Sequence, residues 1–227
     1  MPAVGACPGR WEPSRCHVVD LDLCRALKRN LASSQVCCVN FLLPLAGDPA
    51  ALTELLRGID ADVAGVDPIV HQGRSSLVEF EWVGFDGPLE GGRRYQHLYD
   101  SPTSAFNETA PFVDWLWEPF YQLMRLRLLA DRMVATGVTE GQRVDEARVV
   151  VVCPKANEGY RLAVQKTPLA ARRPPGATVE DIVRTALKDP TSLTVVAQDD
   201  LVAQLRGGPV ASGLSSWLAY HSLRYGW

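Results

Sequence analysis

Polar and apolar positions alternate most cleanly between Ser76 and Val83. Val78, Phe80 and Trp82 fall on one side, and Leu77, Glu79, Glu81 and Val83 on the other. That period of two predicts a strand. Further on, Phe120, Leu123, Met124, Leu126, Leu128, Leu129 and Met133 make a broad stripe at helical spacing, so the best helix of the chain lies within Phe112 to Ala135, with Pro119 at its start. Arg148 to Val152 is a continuous β-branched run and predicts a strand buried on both faces. Thr178 to Lys188 reads as an amphipathic helix capped by Thr178, with Asp181 three residues on. Ser192 to Ala197 predicts another strand, and Asp199 to Leu205 and Leu214 to Tyr225 two closing helices.

The first third is helical by pattern. His17 to Asn30 places Val18, Leu21, Cys24 and Leu27 at helical spacing, with acidic residues early and basic residues late. Ala32 to Val39 extends that helix or starts a second one. Asp48-Pro49 predicts a helix start, with an end at about Arg57 and a stop at Gly58. Arg93 to Tyr99 is aromatic and shows no period. Residues 1–14 read as a loose arm and 15–227 as a single α/β domain, with three strands in one sheet and the long helix packed on it. One good strand before the long helix is too little β structure for a stable sheet, and Gly84 to Pro111 supplies no second.

With 227 residues the chain can bury a core without staples. Its 47% hydrophobic and 22% charged content excludes global disorder, and no apolar run reaches the ~18 residues of a membrane span. The first residues lack an apolar leader core, which predicts a cytoplasmic protein. A net charge of −3 is not the footprint of a protein that coats DNA, but it leaves room for a local basic groove. The six cysteines form no C-x-x-C pair, so reduced thiols are expected rather than zinc or disulfides.

Four places carry possible chemistry. Glu79 and Glu81, two apart on one strand face, could hold Mg²⁺, a hard cation that takes oxygen ligands; a charged outer face of an edge strand explains them more simply. Gln122 and Arg125 lie three apart on one side of the long helix and could touch a phosphate, or be a plain polar stripe. Ser33-Ser34-Gln35 reads as a cap. Asn157-Glu158-Gly159-Tyr160 follows the valine run at the carboxyl end of a strand, where α/β folds place site loops, and serves equally as a turn. The four histidines show no pairing. There is no G-x-S-x-G, Walker A or G-x-G-x-x-G motif.

Taken in order, SSQVCCVNFLLPL, SLVEFEWVG, EPFYQLMRLRLLADRM and DEARVVVVCPKANEGYR resemble a bacterial family of restriction endonuclease-like proteins in the PD-(D/E)XK nuclease superfamily. The resemblance runs from about Ser33 to Tyr160. It implies a mixed α/β sheet flanked by helices and a DNA partner. It also implies Mg²⁺-dependent phosphodiester hydrolysis, with an Asp and a Glu-x-Lys on adjacent strands holding the metal. In the relatives those two elements fall between the Glu-Phe-Glu strand and the long helix. This chain has no Glu-x-Lys there, and no lysine at all between Lys28 and Lys155. The segment that should carry it looks lost at about Gly91-Gly92-Arg93, which leaves a truncated core. The resemblance therefore implies an endonuclease by descent with a degenerate site. Glu79, Glu81 and Gln122 stand near that site, the two glutamates being the remaining strand carboxylates for a metal. The rival expectation, from another class, is a non-catalytic binding or scaffold module, or a non-functional deletion product.

Overall fold

The computed structural model describes residues 41–71, 74–78, 93–117, 119–139, 142–157, 160, 167–172 and 176–225. The helices expected before residue 40, Ser33 to Gln35, the glutamates Glu79 and Glu81, and the turn after them lie outside the described residues. The chain divides into two compact units, Met1–Asp48 with Asp67–Trp82, and Pro49–Val66 with Val83–Trp227.

In the first unit, Leu43–Leu45 is a single 3₁₀ turn with Pro44 inside its start. Strands β1 (Ile69–His71) and β2 (Arg74–Ser76) form a short antiparallel hairpin in which Val70 faces Ser75. Ser76 closes β2, Leu77 and Val78 follow it, and the rest of the alternating segment is beyond the described residues.

The second unit is a mixed α/β body. Helix α1 (Pro49–Arg57) ends where expected, at Gly58. A Cβ at that position would meet the ends of the Gln204 and Leu201 side chains, which would have to shift to admit it. Gln204 Nε2 donates to the Glu54 carbonyl at 2.8 Å and so satisfies one of the last carbonyls of α1. Helix α2 (Arg93–Tyr99) forms from the segment that showed no period. Its order comes from Tyr95 and Tyr99, four apart and both buried.

Helix α3 (Phe120–Thr136) follows Pro119 as expected and ends on Gly137 at φ 72°, a left-handed cap whose N–H reaches the Met133 and Val134 carbonyls. Its buried face is Phe120, Leu123, Met124, Arg127, Leu128 and Ala130. Leu126, expected within the stripe, is 47% exposed, and its place in the core is taken by Arg127. A two-rung hairpin, β3 (Val138–Thr139) with β4 (Gln142–Arg143), follows.

Strand β5 (Val149–Cys153) runs parallel to β6 (Leu193–Ala197), Val149 opposite Leu193 and Cys153 opposite Ala197. Between them lies α4 (Val179–Ala186), opened by a full capping box in which the Thr178 side chain accepts from the Asp181 N–H and Asp181 accepts in return from Thr178. The β-branched run is not buried on both faces, as its composition predicted. Val149 is buried and Val151 packs against the core, whereas Val152 is 39% exposed. With one partner strand among the described residues, the sheet has one face on the core and one partly open. The described strands thus make three two-stranded sheets rather than one. Helices α5 (Gln198–Gly207) and α6 (Ser215–Tyr225) complete the unit.

The core gathers α2, α3, α4 and the starts of β5 and β6. At its centre Trp115 is fully buried, with Phe106 and Phe120 ring centroids 5.1 and 6.0 Å away. Two main-chain bonds, Asn107 N–H to the Ala186 carbonyl and Lys188 N–H to the Ala105 carbonyl, bind the segment after α2 to the end of α4. Among the described residues no helix is long and apolar enough to cross a membrane.

Candidate functional site

Of the residues singled out by sequence, Gln122 and Arg125 are brought together. Both lie on the first two turns of α3, and Arg125 Nη1 donates to Gln122 Oε1 at 3.5 Å, a long and weak bond. The guanidinium is held elsewhere. Its Nε donates to the Tyr95 hydroxyl at 3.2 Å, and it lies 5.3 and 5.4 Å from the Tyr95 and Tyr121 ring centroids. The surroundings of Gln122 are therefore cationic and aromatic. Among the histidines, His97 is exposed, and His221 is fully buried between the Trp217 and Tyr220 rings. Cys153, the one cysteine among the described residues, is half-buried.

A second constellation forms at the carboxyl ends of β5 and β6. There a cleft of about 570 Å³ opens between the sheet and the first turns of α4. From the segment after the valine run, Pro154, Lys155 and Tyr160 line it. Asn157 N–H bonds to the Pro154 carbonyl, and Asn157 Oδ1 accepts from the Tyr160 N–H, which turns the Tyr160 ring into the cleft wall. The Tyr160 hydroxyl is buried, with the Glu180 carboxylate as its hydrogen-bonding neighbour. Burial, reinforced by the nearby Glu180 charge, pushes it well above the ordinary tyrosine range, so it is a neutral O–H donor. Arg184 reaches the opposite side, its Nε donating to the Leu193 carbonyl at 3.5 Å. Lys155 stands at the rim, its ammonium paired with Asp200 at 2.5 Å and its backbone N–H donating to Asp199. That carboxylate partner raises the lysine above its usual value. Hydrogen bonds from the Thr178 backbone and side chain hold Asp181 below the usual carboxylate range, so its charge is already committed to the cap.

The sequence missed Glu180 and Arg184. Their spacing of four on one helix face was visible, but only the parallel β5–α4–β6 arrangement sets that face over the strand ends.

The family model described as restriction endonuclease associating with ARP matches residues 14–97 and 89–226, and the chain belongs to this family. No curated protein and no solved structure matches it. A restriction endonuclease ancestry implies Mg²⁺. The described residues do not suit that ion: Gln122 has a guanidinium for a neighbour, and no group of three His, Cys, Asp or Glu side chains among them could hold a metal.

Proposed function

From that membership we propose that the chain is a restriction endonuclease-like, DNA-directed protein whose Mg²⁺-dependent cleavage site has degenerated. The observation that carries the reading is the missing Glu-x-Lys: no lysine stands between Lys28 and Lys155, across the whole interval where the family places its metal strands. The nearest Glu-x-basic triplet, Glu146-Ala147-Arg148, precedes the valine run and is no substitute, because a planar, permanently charged guanidinium does not mimic an ammonium that orients water. The family match supports the same reading. It runs in two pieces that overlap at 89–97, around Gly91-Gly92-Arg93, where the segment looks lost.

On this reading Glu79 and Glu81 are the strand carboxylates left near the former centre, with Gln122 as a supporting helix residue. Cleavage with Mg²⁺ needs several oxygen ligands converging on the ion, and a misplacement of ~1 Å costs ~100-fold in rate. Two carboxylates without the third acid and the lysine fall short of that. The test is a cleavage assay on plasmid and linear DNA with Mg²⁺ and Mn²⁺, run beside a Glu79→Gln, Glu81→Gln double variant. No metal-dependent cutting is expected from either. Cutting that disappears in the double variant would overturn the degenerate reading and make those glutamates the site.

A further inference from the structure

Helix α3 carries two apolar faces, and the core covers one of them. The covered face runs through Phe120, Leu123, Met124 and Leu128. Leu126, Leu129 and Met133 lie round the other side, three and four residues apart, which is the seam spacing of paired helices. Leu126 is 47% exposed, and Leu129 and Met133 are half-buried. The same alternation of fours and threes reaches the exposed polar residues Gln122 and Thr136, which end the seam. A helix with one covered face ordinarily shows water a polar one. Here water meets leucine and methionine along two turns, the mark of a surface that takes a second neighbour.

Charge says which neighbour. Arg125 and Arg132, seven residues apart, stand just before Leu126 and Met133 and border the seam along one flank. Arg132 is exposed, and Arg125 is held over the Tyr95 and Tyr121 rings. The one acid of α3, Asp131, is tied to Arg127 and to the Ala105 N–H, so it leaves that flank positive. A second copy of this chain, laid antiparallel across the seam, would set these arginines against their own counterparts, and like charges so placed oppose pairing. Nucleic acid draws its affinity from many phosphate contacts, and two arginines beside an apolar seam supply few. We propose that the outer face of α3 docks an amphipathic helix of a partner protein, with its apolar residues in the seam and glutamate or aspartate opposite Arg125 and Arg132. The assignment stands whether or not cleavage has been lost.

The experiment titrates the full chain, by fluorescence anisotropy, into two labelled helical peptides that share leucines at seam spacing. One carries glutamate along the flanks of that seam and the other lysine. Sedimentation equilibrium of the chain alone runs beside it. Wild type should bind the glutamate peptide about tenfold more tightly than the lysine peptide, and added salt should narrow the difference. Arg132→Glu should weaken the glutamate peptide about fivefold and strengthen the lysine peptide. Leu126→Asp should weaken the glutamate peptide about tenfold, since it sets a like charge in the middle of the seam. Both substituted residues are exposed, so both variants should melt close to wild type. No binding of the glutamate peptide, equal binding of the two peptides by wild type, or a dimer of the chain alone that Leu126→Asp dissociates, would overturn the proposal.

Discussion

Asp131 accepts two hydrogen bonds from Arg127, one turn earlier on α3: Nε at 3.0 Å and Nη2 at 2.7 Å, both on the same Oδ1. The arginine side chain is 6% exposed, and its Nη1 donates to the carbonyls of Ala147 and Ser192, just before β5 and β6. The other oxygen of Asp131 accepts from the Ala105 N–H. One ion pair thus fixes the long helix to both strand starts and to the segment after α2. Removing one partner of a buried pair leaves the other charge uncompensated. Arg127→Ala should therefore cost about 3 kcal/mol, less than the largest buried-pair losses because Asp131 is partly exposed. Arg127→Lys should fail to restore it, since an ammonium cannot serve the carboxylate and two carbonyls in one plane. Urea unfolding of the three proteins measures this.

Two leucines on α3 give a contrast. Leu128 is 3% exposed in the core, and Leu126 is 47% exposed. Leu128→Ala should cost roughly 2–5 kcal/mol, and Leu126→Ala no more than about 0.5 kcal/mol. Comparable losses at both positions, in the same urea titrations, would refute the placement of α3.

The Thr178–Asp181 cap should impose an acid limit. Hydrogen bonds to Thr178 lower the Asp181 carboxyl in the folded state, so the folded protein holds fewer protons there than the unfolded chain. The stabilisation is present above the unfolded value of ~3.9 and fades as pH falls through the folded value. Melting temperatures of wild type and Asp181→Asn should differ at neutral pH and converge in strong acid. Thr178→Ala should cost about 1 kcal/mol at neutral pH.

Tyr99 imposes the alkaline counterpart. Its hydroxyl accepts from Trp115 Nε1 at 2.8 Å and donates to the Ala110 carbonyl at 2.7 Å. Burial pushes it up to about 12 from an ordinary 10. The folded state therefore keeps a proton that the unfolded chain gives up, and stability should fall as pH rises from 10 towards 12. Tyr99→Phe should remove this Tyr99 contribution to that slope. It should also cost about 1–3 kcal/mol at neutral pH, because two buried groups lose their partner. Phenolate absorbance followed through alkaline unfolding reads both effects.

How much of this was legible depends on where the ordering contacts come from. Helix α4 announced itself because cap, period and end signals all lie inside its own sequence. Strands β5 and β6 were visible as β-branched runs, but the open face of Val152 depends on how many strands join them, which no single segment records. Helix α2 was not legible because its two buried tyrosines, Tyr95 and Tyr99, are supported from other elements, through Arg125 and Trp115. The hairpins are two or three residues long, too short for a period to register. Arg127 was hidden because a charged residue reads as surface until its three acceptors are in place. At the candidate site, the loop ending in Tyr160 was legible from its position after a strand. Its meeting with Glu180 and Arg184 required the topology.

The parallel pairing of β5 with β6 also sets an order of events as the chain is made. Each rung joins residues separated by α4 and its flanking segments, so the ladder closes a loop of roughly 40 residues. A hairpin can form as soon as its turn is synthesised; this pair cannot. During synthesis β5 stays a valine-rich strand without its β6 neighbour until Ala197 has emerged, and over that interval it is exposed to mispairing with other strands. A chain that stops before Leu193 leaves that strand without its native neighbour, so nonsense truncations there should surface as aggregates rather than as shortened soluble protein.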